Sequence, residues 1–233
     1  MDISPEQRKL RILKAVVREY LETAEPVSSG VLVVKYRLGV SPATVRNDMV
    51  ELTERGLLEQ PHTSAGRRPT EAGYRLYVSE FIDDGFRVIE DVLRQVRFMA
   101  AELELERQTA ARDFARYMAE LTGETAFVSH HGAVFMTGIS NLFRKPEFRT
   151  PELMQDFSLM FDQIEDLVRD VRPRMTTDIT IYIGGENPFC PRLSSVLTRW
   201  DSGDGLIGII GPTRMDYEMN VGLMRSVHDA LAR

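Results

Sequence analysis

The chain has 233 residues, of which 43% are hydrophobic and 27% charged, with a formal net charge of -6. This excludes a disordered acidic tail and supports one large or two modest domains with real cores. A single cysteine, Cys190, excludes an intrachain disulfide and a thiolate cluster and fits a reducing compartment; with only four histidines, no metal site or cofactor is expected. The first fourteen residues are charged throughout and no later apolar run approaches a membrane span of roughly 18 residues, so the expected address is cytoplasmic.

The charge is unevenly placed. Residues 1–80 hold 12 Lys or Arg against 11 Asp or Glu, a net of +1, and residues 81–233 hold 17 against 24, a net of -7. A phosphate-binding surface on the first third is therefore compatible with the acidic whole.

In chain order, Ser4 and Pro5 open a predicted helix to about Thr23, with Leu10, Leu13, Val16, Val17, Tyr20 and Leu21 at helical spacing. Ser28 and Ser29 cap a short second helix ending near Gly39. Ser41 caps a third with Pro42 at its first position, running to about Arg55 before Gly56. Helix, tight glycine turn, helix is the layout of a helix-turn-helix.

On the third helix, Val45, Met49 and Leu52 form a narrow inward stripe, while Ala43, Arg46, Asn47 and Glu54 point away. Arg bridges guanine O6 and N7, Asn does the same for adenine N6 and N7, and Ala meets a thymine methyl. Ser41 and Thr44 sit where a hydroxyl or backbone N–H meets phosphate. Alone, this pattern equally fits a solvated helix face. Leu57–Gln60 and Arg67–Thr70 then read as a hairpin around Pro61–Gly66. His62, Thr63, Ser64, Arg67 and Arg68, with no acid between Gln60 and Glu71, suit phosphate or minor-groove contact, against the plainer alternative of a solvated loop.

These residues carry a resemblance. EPVSSGVL and YRLGVSPATVRNDMVELTERGLLEQPHTSAGRRPTEAGYRLYV resemble the winged-helix region of the HrcA family, the heat-inducible transcription repressors of bacteria; the specific runs are SPATVRNDM (Ser41–Met49) and LEQPHTSAGRRPT (Leu58–Thr70). GISNLFRKPEF within Val134–Phe148, GENP (Gly185–Pro188) and IGPTRMDY (Ile210–Tyr217) resemble the family's later motifs. The resemblance implies a repressor acting at the nucleoid on double-stranded DNA, at an inverted-repeat operator called CIRCE. It further implies a GAF-like second domain, homodimerisation and dependence on the GroE chaperonin. It assigns DNA contact to Ser41, Ala43, Thr44, Arg46 and Asn47, and to His62, Ser64, Arg67 and Arg68 on the wing.

The middle departs from the family pattern, with no counterpart of the usual inserted dimerisation domain. After a break at Asp83–Gly85, the stretch from Phe86 to Leu121 lacks proline and glycine and reads as one long helix. Phe86, Ile89, Leu93, Val96, Ala100, Leu103, Arg107, Ala110, Phe114, Tyr117 and Leu121 alternate spacings of three and four, a heptad seam. Phe86, Ile89, Leu93, Val96, Leu103, Phe114 and Tyr117 are expected to pair with a second subunit; packing on an apolar helix at Pro151–Val171 of the same chain is the alternative.

The remainder reads as strands at Thr125–His130, Ala133–Thr137, Asp178–Ile183, Ser194–Trp200 and Leu206–Ile210, with a last helix from Met215 to Leu231. The expected fold class is α+β: a winged helix-turn-helix over 1–80, a connecting dimerisation helix over 81–122 and a reduced GAF-like domain over 123–233. No catalytic set is found. His130 and His131 are expected on opposite strand faces, unable to share a metal, and Cys190 has no nearby histidine. A regulator whose C-terminal domain senses a small molecule is the second functional reading; an enzyme carrying a DNA-binding domain is the third.

Overall fold

The computed structural model describes residues 4–82, 88–105, 109–200 and 205–232, and the chain divides into two compact units, residues 1–83 and 84–233. The first contains helices α1 (Pro5–Thr23), α2 (Ser29–Tyr36) and α3 (Pro42–Glu54), strands β1 (Leu58–Glu59) and β2 (Arg68–Pro69), and helix α4 (Glu71–Phe81). Each of these helices starts on a hydroxyl. Ser4, Ser28, Ser41 and Thr70 accept from the backbone N–H three residues on, satisfying a donor that the helix itself leaves unpaired. Gly39 and Gly56 follow α2 and α3 with φ of 72° and 71°, a conformation that side chains disfavour. Ile12, Leu13, Val16, Val17, Leu32, Val45, Met49, Leu52 and Leu58 are buried, so the inward stripes of all three predicted helices form the core.

The second unit begins with α5 (Glu90–Glu104) and α6 (Ala110–Thr122). It continues through β3 (Thr125–His130), β4 (Ala133–Thr137), α7 (Ile139–Phe143), α8 (Pro151–Asp162), α9 (Ile164–Val171), β5 (Ile179–Ile183), β6 (Leu193–Trp200), β7 (Gly205–Pro212) and α10 (Tyr217–Leu231). The five strands form an antiparallel sheet in the order β4-β3-β7-β6-β5. Because side chains alternate along a strand, Phe127, Leu193, Leu197, Leu206 and Ile210 join Leu153, Phe157, Met160, Ile164 and Val168 of α8 and α9 in one cluster. The alternate positions, among them Val128, Val196 and Ile209, are equally buried on the side of α6 and α10. This is the α+β class expected, with helices on both sheet faces.

The heptad stretch requires correction. Two helices, α5 and α6, replace the single helix expected, and they pack against each other, with α5 also on α10 and α6 on β3 and β4. Val96 and Phe114 are fully buried and Leu103 nearly so within this one chain; Leu93 and Tyr117 are half-buried, and only Ile89 is exposed. A 3.5-residue period records burial against helices without saying whose, and here the partners are intrachain. Phe86 and Arg107 lie outside the described residues. The Pro151–Val171 helix is likewise two helices, broken at Gln163.

Candidate nucleic-acid interface

The third helix is held by its inner face. Asp48, 3% exposed, accepts from Nε and one terminal nitrogen of Arg8 on α1, at 2.7 and 3.0 Å. A fork of two charge-assisted bonds fixes the helix in rotation as well as position. At the helix's far end Arg55 donates to both oxygens of Glu6 at 2.8 and 2.9 Å, and Lys9 pairs with Glu6 and Glu51. The Arg55 and Lys9 bonds hold the Glu6 carboxyl down at about 2. Asp48, inside the SPATVRNDM run, is therefore an orienting residue that helical spacing alone does not reveal, because its partner lies 40 positions away.

With α3 so oriented, Ser41, Ala43, Arg46 and Asn47 are exposed and Thr44 is half-buried. The Ser41 and Thr44 hydroxyls lie 2.9 Å apart, and Ser41 Oγ also accepts from the Thr44 amide, so both hydroxyls build the cap. Arg46 lines a cleft of about 410 Å³ whose opposite wall is the wing, from Gln60 through Thr63 and Ser64 to Arg67.

The wing is a short antiparallel ladder with a third strand segment. Leu58 pairs with Pro69 and Glu59 with Arg68, while Val27, between α1 and α2, exchanges two backbone hydrogen bonds of 2.8 Å with Arg67. Gly66 crosses directly over that segment; a Cβ there would stand 2.3 Å from the Val27 carbonyl oxygen, so only glycine passes. Gln60 donates to the carbonyls of Thr63 and Ala65, both at 2.9 Å, and closes the tip.

The nine predicted contact residues therefore divide. His62 and Ser64 are exposed at the tip, beside Thr63. Arg67 and Arg68 are half-buried at the base, where Arg67 donates to Thr53 Oγ1 at 2.9 Å and Arg68 pairs with Glu59 at 2.6 Å. In this structure both arginines brace the wing.

The later motifs of the second unit converge on its interior. Lys145 bonds Glu124, Arg214 pairs with Glu147 at 2.6 Å, and Asn141 donates to the Glu124 and Ala119 carbonyls at 3.0 and 3.2 Å. Gly211 leaves room for the Glu124 carboxylate, which a Cβ would approach to 2.3 Å. Burial pushes Glu124 up to about 7 against the opposing pull of Lys145, and its Oε2 has no hydrogen-bond partner. The neighbouring histidines also depart from expectation. His131 takes φ 49° in the β3–β4 turn, outside the strand, so its ring lies 3.8 Å from that of His130 instead of across the sheet. Among the described residues, no group of three or more His, Cys, Asp or Glu is placed to hold a metal. Cys190 is buried, and desolvation pushes its thiol up, away from the reactive thiolate. No helix among the described residues is long and apolar enough to cross a membrane.

A recognition helix beside a braced wing, with an α+β domain behind it in the chain, defines a winged helix-turn-helix transcription regulator whose partner is DNA. A family model described as a DeoR-like helix-turn-helix domain matches residues 19–68, and one described as the HrcA protein C terminal domain matches residues 78–221. The chain belongs to the HrcA family. It is 27% identical to the heat-inducible transcription repressor HrcA of Desulfitobacterium hafniense, over 91% of this chain and 92% of that protein, in an alignment of 320 positions. Since 320 exceeds the 233 residues here, that relative carries internal sequence with no counterpart in this chain. HrcA of Symbiobacterium thermophilum is 45% identical over 125 residues, 53% of this chain and 36% of that protein. These relatives are repressors, not enzymes. A crystal structure of a hypothetical protein shares the fold, with TM-score 0.80 and 18% identity over 97% of each chain.

Proposed function

We propose that this protein is a cytoplasmic, nucleoid-associated repressor of heat-inducible chaperone genes that binds an inverted-repeat CIRCE operator as a homodimer. The observation that carries this reading is the exposed set Ala43, Arg46 and Asn47 on a helix clamped from behind by Asp48, in a chain of the HrcA family. Arg46 and Asn47 read base edges in the major groove, Ser41 and Thr44 approach phosphate, and His62 and Ser64 reach the flanking backbone or minor groove. Arg67 and Arg68 contribute positive potential from the wing base. Repression is relieved when the active dimer is depleted, and the GroE chaperonin acts by replenishing it. Footprinting on DNA upstream of chaperonin genes, with and without chaperonin, tests target, symmetry and regulation together. Protection that lacks two-fold symmetry, or that falls outside those promoters, sinks this reading.

A second reading, in which a small molecule biases the regulator, draws support from a cleft of about 320 Å³ between the β3–β4 turn and α9, lined by His131, Glu165, Arg169 and Arg172 among others. A thermal-shift screen of metabolites separates the two: a true ligand at 100 times its dissociation constant adds roughly 2.7 kcal/mol.

A further inference from the structure

Helix α5 carries a second stripe beside the one its own chain consumes. Phe98 is 60% exposed and Leu105, at the helix end, 65% exposed; Arg94 and Ala101 are exposed with them and Glu102 is half-buried. At 100° per residue, Arg94, Glu102 and Leu105 all project within about 40° of the direction of Phe98. Single exposed apolar residues are ordinary. This stripe is distinguished by symmetry: four residues before Phe98 stands a cation, Arg94, and four residues after it an anion, Glu102.

We propose that this outer face of α5 is the contact between two copies of the chain, with the helices antiparallel and the two-fold axis at Phe98. The inference rests on the homodimer reading above and names where the dimer forms. In that register Phe98 meets Phe98 of the partner subunit on the axis. Arg94, which already pairs with Asp91 on its own helix, faces Glu102 of the partner subunit, and the same pair recurs on the other side of the axis. A parallel pairing places like beside like and loses both ion pairs, so the charge order selects the antiparallel arrangement. In this register Leu105 falls opposite Asp91 of the partner subunit, so Phe98 supplies most of the apolar contact, which puts the interface toward the small end of specific ones. The free protein is accordingly a weak, concentration-dependent dimer, completed when two half-sites of a palindrome hold both copies together.

The test is sedimentation equilibrium of the full chain, free and on a palindromic duplex, comparing the parent with Arg94→Glu, Glu102→Arg, the double variant and Phe98→Glu, each checked for parental helicity by circular dichroism. Each single change is expected to raise the dimer dissociation constant at least about tenfold, and the double charge exchange to restore it to within about threefold of the parent. A dimer indifferent to all four variants overturns this face while leaving the homodimer reading intact. Singles that weaken the dimer without rescue by the double overturn the antiparallel register. A parent that is monomeric both free and on DNA, one copy per duplex, removes the homodimer reading itself.

Discussion

The two units use their motif residues in opposite directions. In the winged helix, the run Ser41–Met49 alternates between inward and outward duty: Val45, Asp48 and Met49 anchor the helix, and Ala43, Arg46 and Asn47 are left in solvent. In the second unit, Lys145, Glu147 and Arg214 turn inward to form ion pairs around Glu124, and Asn141 bonds the backbone beside it. A recognisable run of residues thus leaves polar side chains in solvent in one unit and forms an internal brace in the other. What separates the cases is whether each polar side chain already has a protein partner, which the sequence does not state.

The sharpest way to break this contrast is to remove an internal partner. Lys145→Met leaves Glu124 buried without its counter-charge, and at pH 8 the unfolding free energy is expected to fall by about 3 to 5 kcal/mol in denaturant titrations. The loss should shrink in acid. Glu124 is raised from 4.5 to about 7 in the folded state, so the stability linked to its protonation is fully present below about 4.5 and is lost as pH rises through about 7. Glu124→Gln should accordingly flatten the stability profile over that window. If Lys145→Met is equally harmful at pH 5 and pH 8, the carboxylate charge is not the cause.

A change in the wing comes next. Gly66→Ala forces the Val27 backbone aside, with an expected cost of about 1 to 3 kcal/mol and a displaced wing tip, read as lower melting temperature together with weaker operator binding. Arg46→Ala sharpens the contrast from the other side. It should cost about 1 to 3 kcal/mol of discrimination at one base pair in binding-site competition while leaving the melting temperature unchanged, since no internal contact is lost. Arg67→Ala should do less to sequence preference. Its expected signature is a destabilisation near 1 kcal/mol, from loss of the Thr53 hydrogen bond, with weakening spread over all DNA sequences. A strong base-specific effect of Arg67→Ala would return that residue to the recognition surface.

Local signals explain what was legible in the sequence. Hydroxyl caps mark the starts of α2 and α3 and Gly56 the end of α3, whereas α2 ends on Arg37 in the left-handed conformation, ahead of Gly39; β-branched alternation around Gly132 locates β3 and β4 to the residue. The stretch between α5 and α6 contains neither proline nor glycine, so nothing in it announced that the helix would end at Glu104 and resume at Ala110. Helix α4 is absent from the elements expected above although Thr70 caps it locally; what the sequence does not carry is its seat, where Gly73 packs against the Leu57 carbonyl and a Cβ would lie 2.1 Å from it. The same limit applies to Arg67 and Arg68, whose charge suggested DNA while their partners Thr53 and Glu59 were set by the fold. Pairings distant in sequence are decided by tertiary geometry, which composition and period do not carry.

The backbone bonds joining Val27 to Arg67 have an evolutionary consequence. They are made by main-chain atoms, as are the acceptors that Gln60 uses to close the tip, so the wing's position is independent of the side chains at His62, Thr63 and Ser64. Those three positions can be exchanged without relocating the loop that presents them. Under the DNA-contact role proposed for the tip, a lineage retunes which promoters it silences there, one residue at a time, on scaffolding that never has to be rebuilt.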